Sequence, residues 1–355
     1  MGLFNQESRI VENPYSRRLI GVKIENCKIK TATGLNVLFT CIGRRVSLLE
    51  SFRRSARQLK INASFFGTDT TELSPALQLC DKRFGVRPTT HPGYVRELLS
   101  IVKANSVNLL VPTVDLDLRS LAINEPKFAA AGCRVLVSNP DVVDVCQDKR
   151  KTYRFLAKNG FDTALTMSVR SALANRAIRW PCFLKPWDGS AGRENAVARN
   201  RKELSFYAKR IPNAICQEFV EGTEYTCDVY VNFDMEVRCV VPRKRIEVRA
   251  GEVSKSRVAM NAHIIDVATA LVEKLGAGPG VITLQLFLTS DSKVKFIEIN
   301  PRFGGGAPLS IKAGANFPKW ILQELTGRKP RIRPDALKDG LTMLRYDSEV
   351  WLESS

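Results

Sequence analysis

The stretch FIEINPRFGGGAPLS, from Phe296 to Ser310, combines a short strand pattern, an arginine and a run of glycines. Side chains alternate along a strand, so Glu298 and Asn300 share one face and Arg302 follows with the same parity. A carboxylate and an amide offer the hard oxygen ligands that Mg²⁺ prefers, with phosphate oxygens and water completing its shell. Arg302 carries a permanent positive charge in a planar fork that suits phosphate or carboxylate. The pattern is typical of a site where a metal-bound nucleotide meets a reacting group.

The glycines from 304 to 306 let the backbone approach a ligand where any Cβ atom would clash, so we assign Gly304 and Gly305 to the substrate site. An isolated E-x-N pair is more often a half-buried strand that ends in a glycine turn. The complete string E-I-N-P-R-F-G-G-G is more specific, and it resembles the metal-binding strand of the ATP-grasp superfamily. The resemblance is to the branch similar to the large subunit of carbamoyl phosphate synthase. It implies further residues upstream in a fixed order.

The chain has 355 residues, of which 44% are hydrophobic, and is long enough for two or three domains with their own cores. No apolar run has the length needed to span a bilayer, and the first residues lack the apolar segment of a secretion signal. Nine cysteines without a CxxC pair, and only two histidines, argue against a zinc site. Scattered cysteines indicate reduced thiols, so we expect a cytoplasmic protein.

The net charge of +18 admits two interpretations. A strongly basic protein can bind nucleic acid or an anionic surface, or it can be an enzyme with anionic ligands. The basic residues are spread through every segment, and aromatic residues are not interleaved with them as a stacking surface requires. We therefore expect small-molecule substrates, no membrane partner and no nucleic-acid function, while the sequence leaves a homodimer open.

Short apolar runs alternate with helical patterns between residues 36 and 137. We predict strands over 36–41, 63–67, 109–111 and 135–137, and helices over about 46–59 and about 93–105. Such alternation is typical of a doubly wound α/β domain with a parallel sheet. The first turn, Cys41-Ile42-Gly43, is not G-x-G-x-x-G, which argues against nicotinamide binding.

Polar side chains follow the predicted strands of this sheet. Ligands of parallel sheets bind beyond the carboxyl ends of the strands, so the convergence of these side chains predicts a substrate pocket. The residues are Arg44, Arg45, Asp69, Thr113 and Asp115. In the alternative interpretation the arginines are solvated residues at a helix start, and the aspartates are caps or turn formers.

The pattern changes after residue 140. We predict strands over 181–186, 214–220, 225–231, 281–288 and 294–300, and helices over 152–159 and about 262–275. The resemblance implies a two-part ATP-grasp α+β module, with a lid and a metal-binding domain. We place an N-terminal extension at 1–34, the α/β domain at 35–140, the lid at 141–216, the metal and nucleotide domain at 217–330, and a C-terminal tail at 331–355.

The resemblance implies roles for two lysines and a loop. Lys149 and Lys185 match the lysines that reach the phosphates of ATP, and Lys185 also joins the catalytic set. Gly189, Ser190 and Gly192 match the loop that covers the phosphates through its backbone N–H groups. Related loops are richer in Gly or Ser than Ala191-Gly192-Arg193-Glu194, a departure that puts the individual phosphate contacts of this loop in doubt.

The resemblance also implies a nucleotide hinge and a metal set. Glu218, Phe219 and Val220 match the hinge that holds adenine, and Glu224 matches the acid that binds the ribose hydroxyls. The metal ligands are implied to be Gln285, Glu298 and Asn300. Arg302 matches the arginine that stabilises the phosphoryl group during transfer.

The segment from 241 to 255 is dense in cations. On an alternating strand, Arg243, Arg245 and Arg249 share one face. One interpretation is a charged edge strand that guards against aggregation. The resemblance favours anion binding: Arg245 joins the catalytic set, and Arg243 and Arg249 contact the γ-phosphate or a substrate carboxylate.

These residues together predict a ligase that depends on ATP and on Mg²⁺ or Mn²⁺. It would activate a carboxylate as an acyl phosphate and transfer the acyl group to an amine or a similar nucleophile. Two alternatives stay open. One is a kinase-type enzyme that releases an acyl or carbamoyl phosphate, and the other is a basic nucleotide- or nucleic-acid-binding protein without turnover. The sequence does not identify the acid or the nucleophile.

Overall fold

The computed structural model of the chain describes residues 34–189, 192 and 194–353. The predicted N-terminal extension, 1–34, therefore lies outside the described residues except for Gly34, and Ser190 of the predicted phosphate loop lies outside them as well. Within the described part, no helix combines the length and apolarity needed to cross a bilayer.

The N-terminal domain is built on a parallel sheet, as predicted, but it has five strands where four were predicted, because the strand Lys82–Gly85 was not foreseen. The strands are β1 (Leu35–Thr40), β2 (Ala63–Asp69), β3 (Lys82–Gly85), β4 (Leu109–Pro112) and β5 (Arg134–Val135). Their order is β3-β2-β1-β4-β5. The helices are α1 (Val46–Leu59), α2 (Pro75–Gln78), α3 (Tyr94–Ala104), α4 (Leu118–Ala130) and α5 (Pro140–Gln147). Helices cover both faces of the sheet, which explains why β1 and β4 read as continuous apolar runs.

A four-stranded antiparallel sheet follows, in the region predicted as the lid. It is preceded by α6 (Lys149–Lys158) and consists of β6 (Thr166–Ser168), β7 (Cys182–Pro186), β8 (Ala196–Ala198) and β9 (Ala214–Glu218), in the order β6-β9-β7-β8. Two helices, α7 (Val169–Ala174) and α8 (Arg201–Ala208), pack on it around a small core that includes Leu184 and Leu204.

The third sheet has six antiparallel strands. They are β10 (Thr223–Val231), β11 (Val237–Arg249), β12 (Glu252–Val258), β13 (Gly280–Leu288), β14 (Val294–Asn300) and β15 (Thr342–Leu344), in the order β14-β13-β10-β11-β12-β15. The helices α9 (Ala262–Leu275), α10 (Ala307–Ala313) and α11 (Phe317–Leu325) complete this part. Part of the segment predicted as a C-terminal tail is thus an edge strand of the large sheet.

Helix α9 shows how the local sequence fixes an element. The Asn261 side chain accepts a hydrogen bond from the N–H of Ile264 and caps the start of the helix. Gly276 ends it in the left-handed conformation, which a side chain would disfavour. Between them Ile264, Ala268 and Leu271 recur on one face and are buried against the sheet.

The pairing of β13 with β14 positions the predicted metal ligands. Gln285 lies directly opposite Glu298, and Thr283 lies opposite Asn300. The register shifts between Gln285 and Leu286, so β14 carries an irregularity immediately before Glu298. Such bulges re-aim side chains and are over-represented next to active sites.

An apolar core shared by α1, α11 and the large sheet joins the N-terminal domain to the rest of the protein. The ring centroids of Phe52 on α1 and Phe303 lie 6.0 Å apart, and Phe303 also packs against Phe317 at 6.5 Å. The hydroxyl of Ser55 lies 3.0 Å from Oδ1 of Asn316, to which it donates a hydrogen bond. Because interiors are close-packed, this contact holds the carboxyl edge of the parallel sheet in a fixed position relative to β14.

A buried ion pair lies inside the large sheet and corrects one prediction. Arg243 donates two hydrogen bonds to Asp228, at 2.8 and 3.0 Å, and the two side chains are 1% and 0% exposed. The Ser310 hydroxyl donates to the same carboxylate at 2.6 Å. The structure does not support the prediction that Arg243 contacts a substrate, because the side chain is 1% exposed and two of its donors bind Asp228; its Nη1 is buried without a partner among the described residues.

The Asp228→Ala variant should lose about 3–5 kcal/mol of stability, the usual cost of leaving a buried partner charge uncompensated. The midpoint of urea unfolding, followed by circular dichroism, measures the loss. Asp291→Ala is the control, since Asp291 pairs with Lys293 on the surface, and its midpoint should match the wild type. Equal midpoints for Asp228→Ala and wild type would contradict a structural role for the pair.

Candidate active site

Oxygen-bearing side chains project from the paired strands β13 and β14. Gln285 and Glu298 face each other across the two strands and are partly exposed, whereas Asn300 is 5% exposed. The Asn300 side-chain oxygen accepts a hydrogen bond from Nη2 of Arg302 at 3.2 Å. Among the described residues no three His, Cys, Asp or Glu side chains group as metal ligands. The donors present suit a hard cation such as Mg²⁺ that takes few protein ligands and completes its shell with phosphate and water.

Lys185 on β7 is a cation held in a sheltered position. It is 6% exposed, and within residues 34–353 as described it has no ion pair or hydrogen bond through its ammonium group. Burial, which is the largest cause, and the nearby charge of Lys149 together lower the pKa of Lys185 to about 8, while the charge of Glu298 acts in the opposite direction. The ammonium group therefore lies within electrostatic reach of the proposed metal ligands and has no protein counter-ion in contact with it.

Lys149 begins α6 and contacts the predicted phosphate loop. Its Nζ donates a hydrogen bond to the carbonyl of Gly189, and its backbone N–H donates to the carbonyl of Trp187 at 3.1 Å. Gly192 has a φ of +66°, in the left-handed region that favours glycine. Lys149 and Lys185 thus lie at the start of the loop that follows β7.

The predicted adenine hinge lies where β9 ends. The Glu218 carboxylate pairs with Lys295 of β14 and accepts a hydrogen bond from the N–H of Leu165 at 3.1 Å. Phe219 is 39% exposed and Val220 is partly buried. Because the carboxylate of Glu218 is already paired, the backbone of this hinge is the part left to contact a base.

Glu224 and Arg245 form an ion pair on neighbouring strands, with 3.0 Å between Nε and Oε1. Burial raises the pKa of Glu224, an effect that Arg245 partly offsets and Glu298 reinforces. The Arg245 side chain is 9% exposed and also donates to the Thr226 hydroxyl at 3.4 Å. This pair therefore lies beside Glu298, near the predicted metal ligands.

Arg249 lies at the end of the β11–β12 hairpin, opposite Glu252. The register of β11 against β12 shifts at Glu247, so the strict alternation that placed Arg243, Arg245 and Arg249 on one face does not hold. Arg249 is exposed at the hairpin end, where it pairs with Asp347 at 2.7 Å. The Arg249 side chain is 70% exposed and already paired, so the structure does not support the prediction that it contacts a substrate.

Arg302, which follows β14, forms an ion pair with the N-terminal domain. Its Nη2 lies 2.6 Å from Oδ2 of Asp115, and its Nη1 donates to the carbonyl of Phe303 at 3.3 Å. Burial opposes the positive charge, yet Asp115 and Glu298 hold the pKa of Arg302 above its usual value. Its buried Nε has no hydrogen-bond partner among the described residues. An unpaired donor in a buried guanidinium is suited to an anionic ligand.

Arg45 lies next to this pair. Its Nη1 is 3.2 Å from the carboxylate of Glu252, and its side chain is 19% exposed. Burial lowers the pKa of Arg45, Glu252 raises it, and the charges of Arg302 and Arg345 lower it. Arg44 is exposed on the same loop. Asp115 and Arg45, which follow strands of the parallel sheet, and Glu252 of β12 thus lie near Arg302. For Arg45 and Asp115 this agrees with the predicted convergence.

Two predicted substrate residues serve the protein's own turns. Thr113 is fully buried, and its hydroxyl donates to the carbonyls of Thr40 and Cys41. The carboxylate of Asp69 accepts from the N–H of Gly43 at 2.8 Å and from that of Thr70 at 2.7 Å. Substrate contact by either residue is therefore not supported: the hydroxyl is buried, and the aspartate is a turn former.

The glycine turn also has a different reason from the one predicted. A Cβ atom on Gly304 would lie 2.9 Å from Thr283, and one on Gly305 would lie 2.7 Å from Nη1 of Arg45. One on Gly306 would clash with Nη1 of Arg243. The turn is glycine-rich because protein side chains fill the space beside it. The absence of a side chain at Gly305 leaves room for Arg45, so these glycines do not themselves require a ligand.

Sequence reasoning missed Glu252, Arg345 and Asp117. Glu252 holds both Arg45 and Arg345, and no local motif signals either role. Asp117 is fully buried and accepts hydrogen bonds from Thr40 at 2.6 Å and Tyr94 at 3.2 Å. Burial raises the pKa of Asp117 to about 6. The repeat of aspartates at 115 and 117 was the available signal for it.

Family models match two parts of the chain. An ATP-grasp domain covers residues 146–306, and a PylC-like N-terminal domain covers residues 37–136. The first match contains Lys149, Lys185, Glu298 and Arg302, and the second contains the parallel sheet.

Curated relatives are distant. A carbamoyl-phosphate synthase of Methanobrevibacter smithii is 25% identical over 145 residues, which are 36% of this chain and 36% of that protein. A formate-dependent phosphoribosylglycinamide formyltransferase of Ignicoccus hospitalis is 21% identical over 267 residues, 68% of this chain and 64% of that protein. The chain spans less than two thirds of the length of the curated relatives it matches.

Solved structures share the fold. The biotin carboxylase domain of Hydrogenobacter thermophilus 2-oxoglutarate carboxylase, in complex with MgADP and bicarbonate, has a TM-score of 0.68 at 14% identity and covers 87% of this chain and 73% of its own. N5-carboxyaminoimidazole synthetase of Staphylococcus aureus, complexed with ADP, has a TM-score of 0.67 at 15% identity and covers 84% and 79%. The chain therefore contains a PylC-like N-terminal domain over residues 37–136 and an ATP-grasp domain over residues 146–306.

Proposed function

We propose that the protein is an ATP- and Mg²⁺-dependent ligase. It activates a carboxylate as an acyl phosphate and transfers the acyl group to an amine or a similar nucleophile. The formyltransferase and synthase names of its relatives, and the ADP and bicarbonate of its structural neighbours, support the proposal. We propose the domain division 35–140, 141–216 and 217–330. Each range holds most of one sheet, while β9 crosses the boundary at 216 and β15 lies beyond residue 330.

One observation carries the proposal. The ammonium group of Lys185 is buried within electrostatic reach of Glu298 and Lys149, and no carboxylate contacts it among the described residues. A buried, unpaired cation is costly, because desolvation is not repaid by a partner. A triphosphate bound between these residues would repay that cost and would bring a metal ion to Glu298 and Gln285.

In the proposed reaction the residues position groups and neutralise charge, which dominates phosphoryl transfer. Lys149, Lys185 and Arg245 balance the charge on the phosphates, while Glu224 takes the ribose hydroxyls and the hinge at 218–220 takes the base. Gln285, Glu298 and Asn300 would hold Mg²⁺, which supplies charge neutralisation on the phosphate oxygens when bound. Arg302 stabilises the phosphoryl group during transfer and also holds the carboxylate that attacks the γ-phosphorus, and Asp115 orients Arg302.

The acyl phosphate would form as the carboxylate oxygen bonds to the γ-phosphorus and the bond to ADP breaks. An amine then attacks the acyl carbon, and phosphate leaves. The substrates are small molecules and the products are an amide, ADP and phosphate. The described cysteines are free thiols, which supports the proposal of a reducing, cytoplasmic compartment. A homodimer is a separate proposal that sedimentation would decide.

The deciding experiment measures ATP-dependent phosphate release with amino acids, sugar acids and small dicarboxylates, singly and in pairs with amines. Release that requires both an acid and an amine supports the ligase. Formation of ADP and an acyl phosphate with an acid alone identifies the kinase-type alternative. If no combination releases phosphate and MgATP still binds, the protein binds nucleotide without turnover.

The Glu298→Gln variant should lose most turnover, by a factor of at least ~100, and should keep its fold. The amide has one neutral oxygen where the carboxylate has two charged ones, so it holds Mg²⁺ more weakly. Mg²⁺-dependent ATP consumption measures the loss, and the melting temperature checks the fold. Glu273→Gln, on the exposed side of α9, is the control. Near-normal consumption by Glu298→Gln would contradict the metal assignment.

The affinity for ATP should fall as the pH rises above about 8, because the free protein then loses the proton that gives Lys185 its charge. Below pH 8 the cation is present and affinity stays constant. In Lys185→Arg the guanidinium remains protonated, so calorimetric titration between pH 7 and 9.5 should show no fall. Lys185→Ala should weaken binding by about 1.5–3 kcal/mol at pH 7. Identical pH profiles for wild type and Lys185→Arg would contradict the role of Lys185.

The Asp115→Asn variant should raise the KM for the acid substrate by roughly tenfold and leave ATP affinity unchanged. Asp115 orients Arg302, and an amide can hold the guanidinium only through a neutral oxygen. Steady-state kinetics and calorimetry separate the two parameters. Loss of ATP binding in Asp115→Asn would place the nucleotide against the N-terminal domain and would overturn the proposed function.

A further inference from the structure

Two arginines share one carboxylate beside the glycine turn. Glu252 of β12 is 3.2 Å from Nη1 of Arg45 through one oxygen and accepts a hydrogen bond from Nη1 of Arg345 at 2.9 Å through the other. Burial opposes the charge of Glu252, but Arg45 and Arg345 hold its pKa below the usual value. Two positive charges therefore face one negative charge, and the group keeps an excess of +1. Arg44 is near enough to Glu252 to add to this excess.

The group lies next to the proposed acyl site. A Cβ atom on Gly305 would be 2.7 Å from Arg45 and 3.0 Å from the carboxylate of Glu252, so the pair rests on the turn that follows Arg302. Arg302 is close enough to Arg45 to lower its pKa. Arg302 itself is balanced by Asp115. The uncompensated charge is therefore a second anion site, adjacent to the guanidinium that we assign to the reacting carboxylate.

The two guanidinium groups have unused donors. Among the residues that the structure describes, Arg45 has the single ionic contact to Glu252. Arg345 uses only Nη1, which donates to Glu252 and to the carbonyl of Val253. Its Nε and Nη2 have no protein acceptor in that part of the chain. The side chains of Arg45 and Arg345 are 19% and 36% exposed, so a small ligand can reach them in a partly desolvated place where charge attraction is less screened.

The C-terminal segment places Arg345 there. β15 pairs with β12, with Leu344 opposite Lys255, and the backbone N–H of Arg345 donates to the carbonyl of Ser254 at 2.9 Å. This pairing continues past the end of β15 and holds the backbone of Arg345 beside Ser254, two residues from Glu252. The segment after residue 341 therefore supplies a side chain to the candidate site.

We propose that Arg45 and Arg345 bind a second negative group on the acid substrate. The acid then carries two anions: the carboxylate that is activated at Arg302, and a second carboxylate or a phosphate held by Arg45 and Arg345. Both groups match the planar guanidinium fork. The inference rests on the proposed function, and it makes Arg345 a determinant of substrate specificity.

The test uses pairs of acids that differ only in the second anion: aspartate and asparagine, glutamate and glutamine, succinate and succinamate, and O-phosphoserine and serine. Calorimetry measures the binding of each acid to the wild type with MgADP present. At least one dianion should bind tenfold or more tighter than its partner. Preference among carboxylate and phosphate pairs identifies which of the two groups the site takes.

The variants Arg345→Ala and Arg45→Gln act from opposite sides of Glu252 and should give the same result. Each should weaken binding of the preferred dianion by roughly 10- to 100-fold, the scale of a charged hydrogen bond. Binding of the matched acid that lacks the second anion should not change. ATP affinity and melting temperature should match the wild type. Arg333→Ala is the control, because Arg333 lies in the same C-terminal segment in an exposed pair with Asp335.

The inference is overturned if no dianion is preferred, if none of the acids binds, or if both variants weaken the two members of a pair equally. ATP-dependent phosphate release, measured with the same acids and an amine, decides the proposed function separately. Turnover of acids that ignores the second anion would leave the ligase proposal standing and remove this inference. Selective dianion binding without turnover would do the reverse.

Discussion

The packing of α1 against Phe303 and Phe317 is the constraint on which the candidate site depends. Phe303 follows Arg302 directly, so the contact that buries this ring beside Phe52 also fixes where the arginine lies. Apolar burial is non-directional and stabilises the joint between the two domains. The ion pair between Arg302 and Asp115, at 2.6 Å, then fixes the relative position of the two domains at this joint. The carboxyl edge of the parallel sheet and the metal strand become two walls of one site because a single turn belongs to both.

Charge balance explains how the site tolerates so many cations. Arg302 and Arg245 each lie in a sheltered place, and each has one carboxylate in contact: Asp115 and Glu224. Such pairing lowers the cost of desolvating a guanidinium. Lys185 has no such partner among the described residues, and Arg45 and Arg345 share one. Positive charge is left over at these two places, and we propose that anions bind there: the triphosphate at Lys185, and the second anion of the acid at Arg45 and Arg345. The net charge of +18 is in this sense only partly a property of the surface.

Other charged and polar residues that looked functional turned out to support the scaffold. Arg243 and Asp228 lie in the core with Ser310, where a buried pair of this kind fixes β10 against β11 and α10. Asp69 accepts a hydrogen bond from the turn after β1, and the Thr113 hydroxyl donates to the carbonyls at the end of β1. Asp69 and Thr113 therefore hold the loop that carries Arg45. Their position beyond the strand ends was predicted well, but position alone does not separate a ligand contact from a turn contact, because both use the same hydrogen-bonding groups.

The sequence by itself determined the order of the sheets, the strands β1, β2, β4, β7, β13 and β14, the shared face of Glu298 and Asn300, and the presence of an ATP-grasp domain. These follow from local periodicity and from one specific motif, which need no knowledge of distant contacts. It could not show that Gln285 stands opposite Glu298, that Arg243 pairs with Asp228 while Arg245 pairs with Glu224, or that Glu252 joins Arg45 to Arg345. Those facts depend on strand register, on the shift in β11 and on the edge pairing of β15. Each is decided by contacts between residues far apart in the chain, so only the tertiary structure could reveal which charges meet.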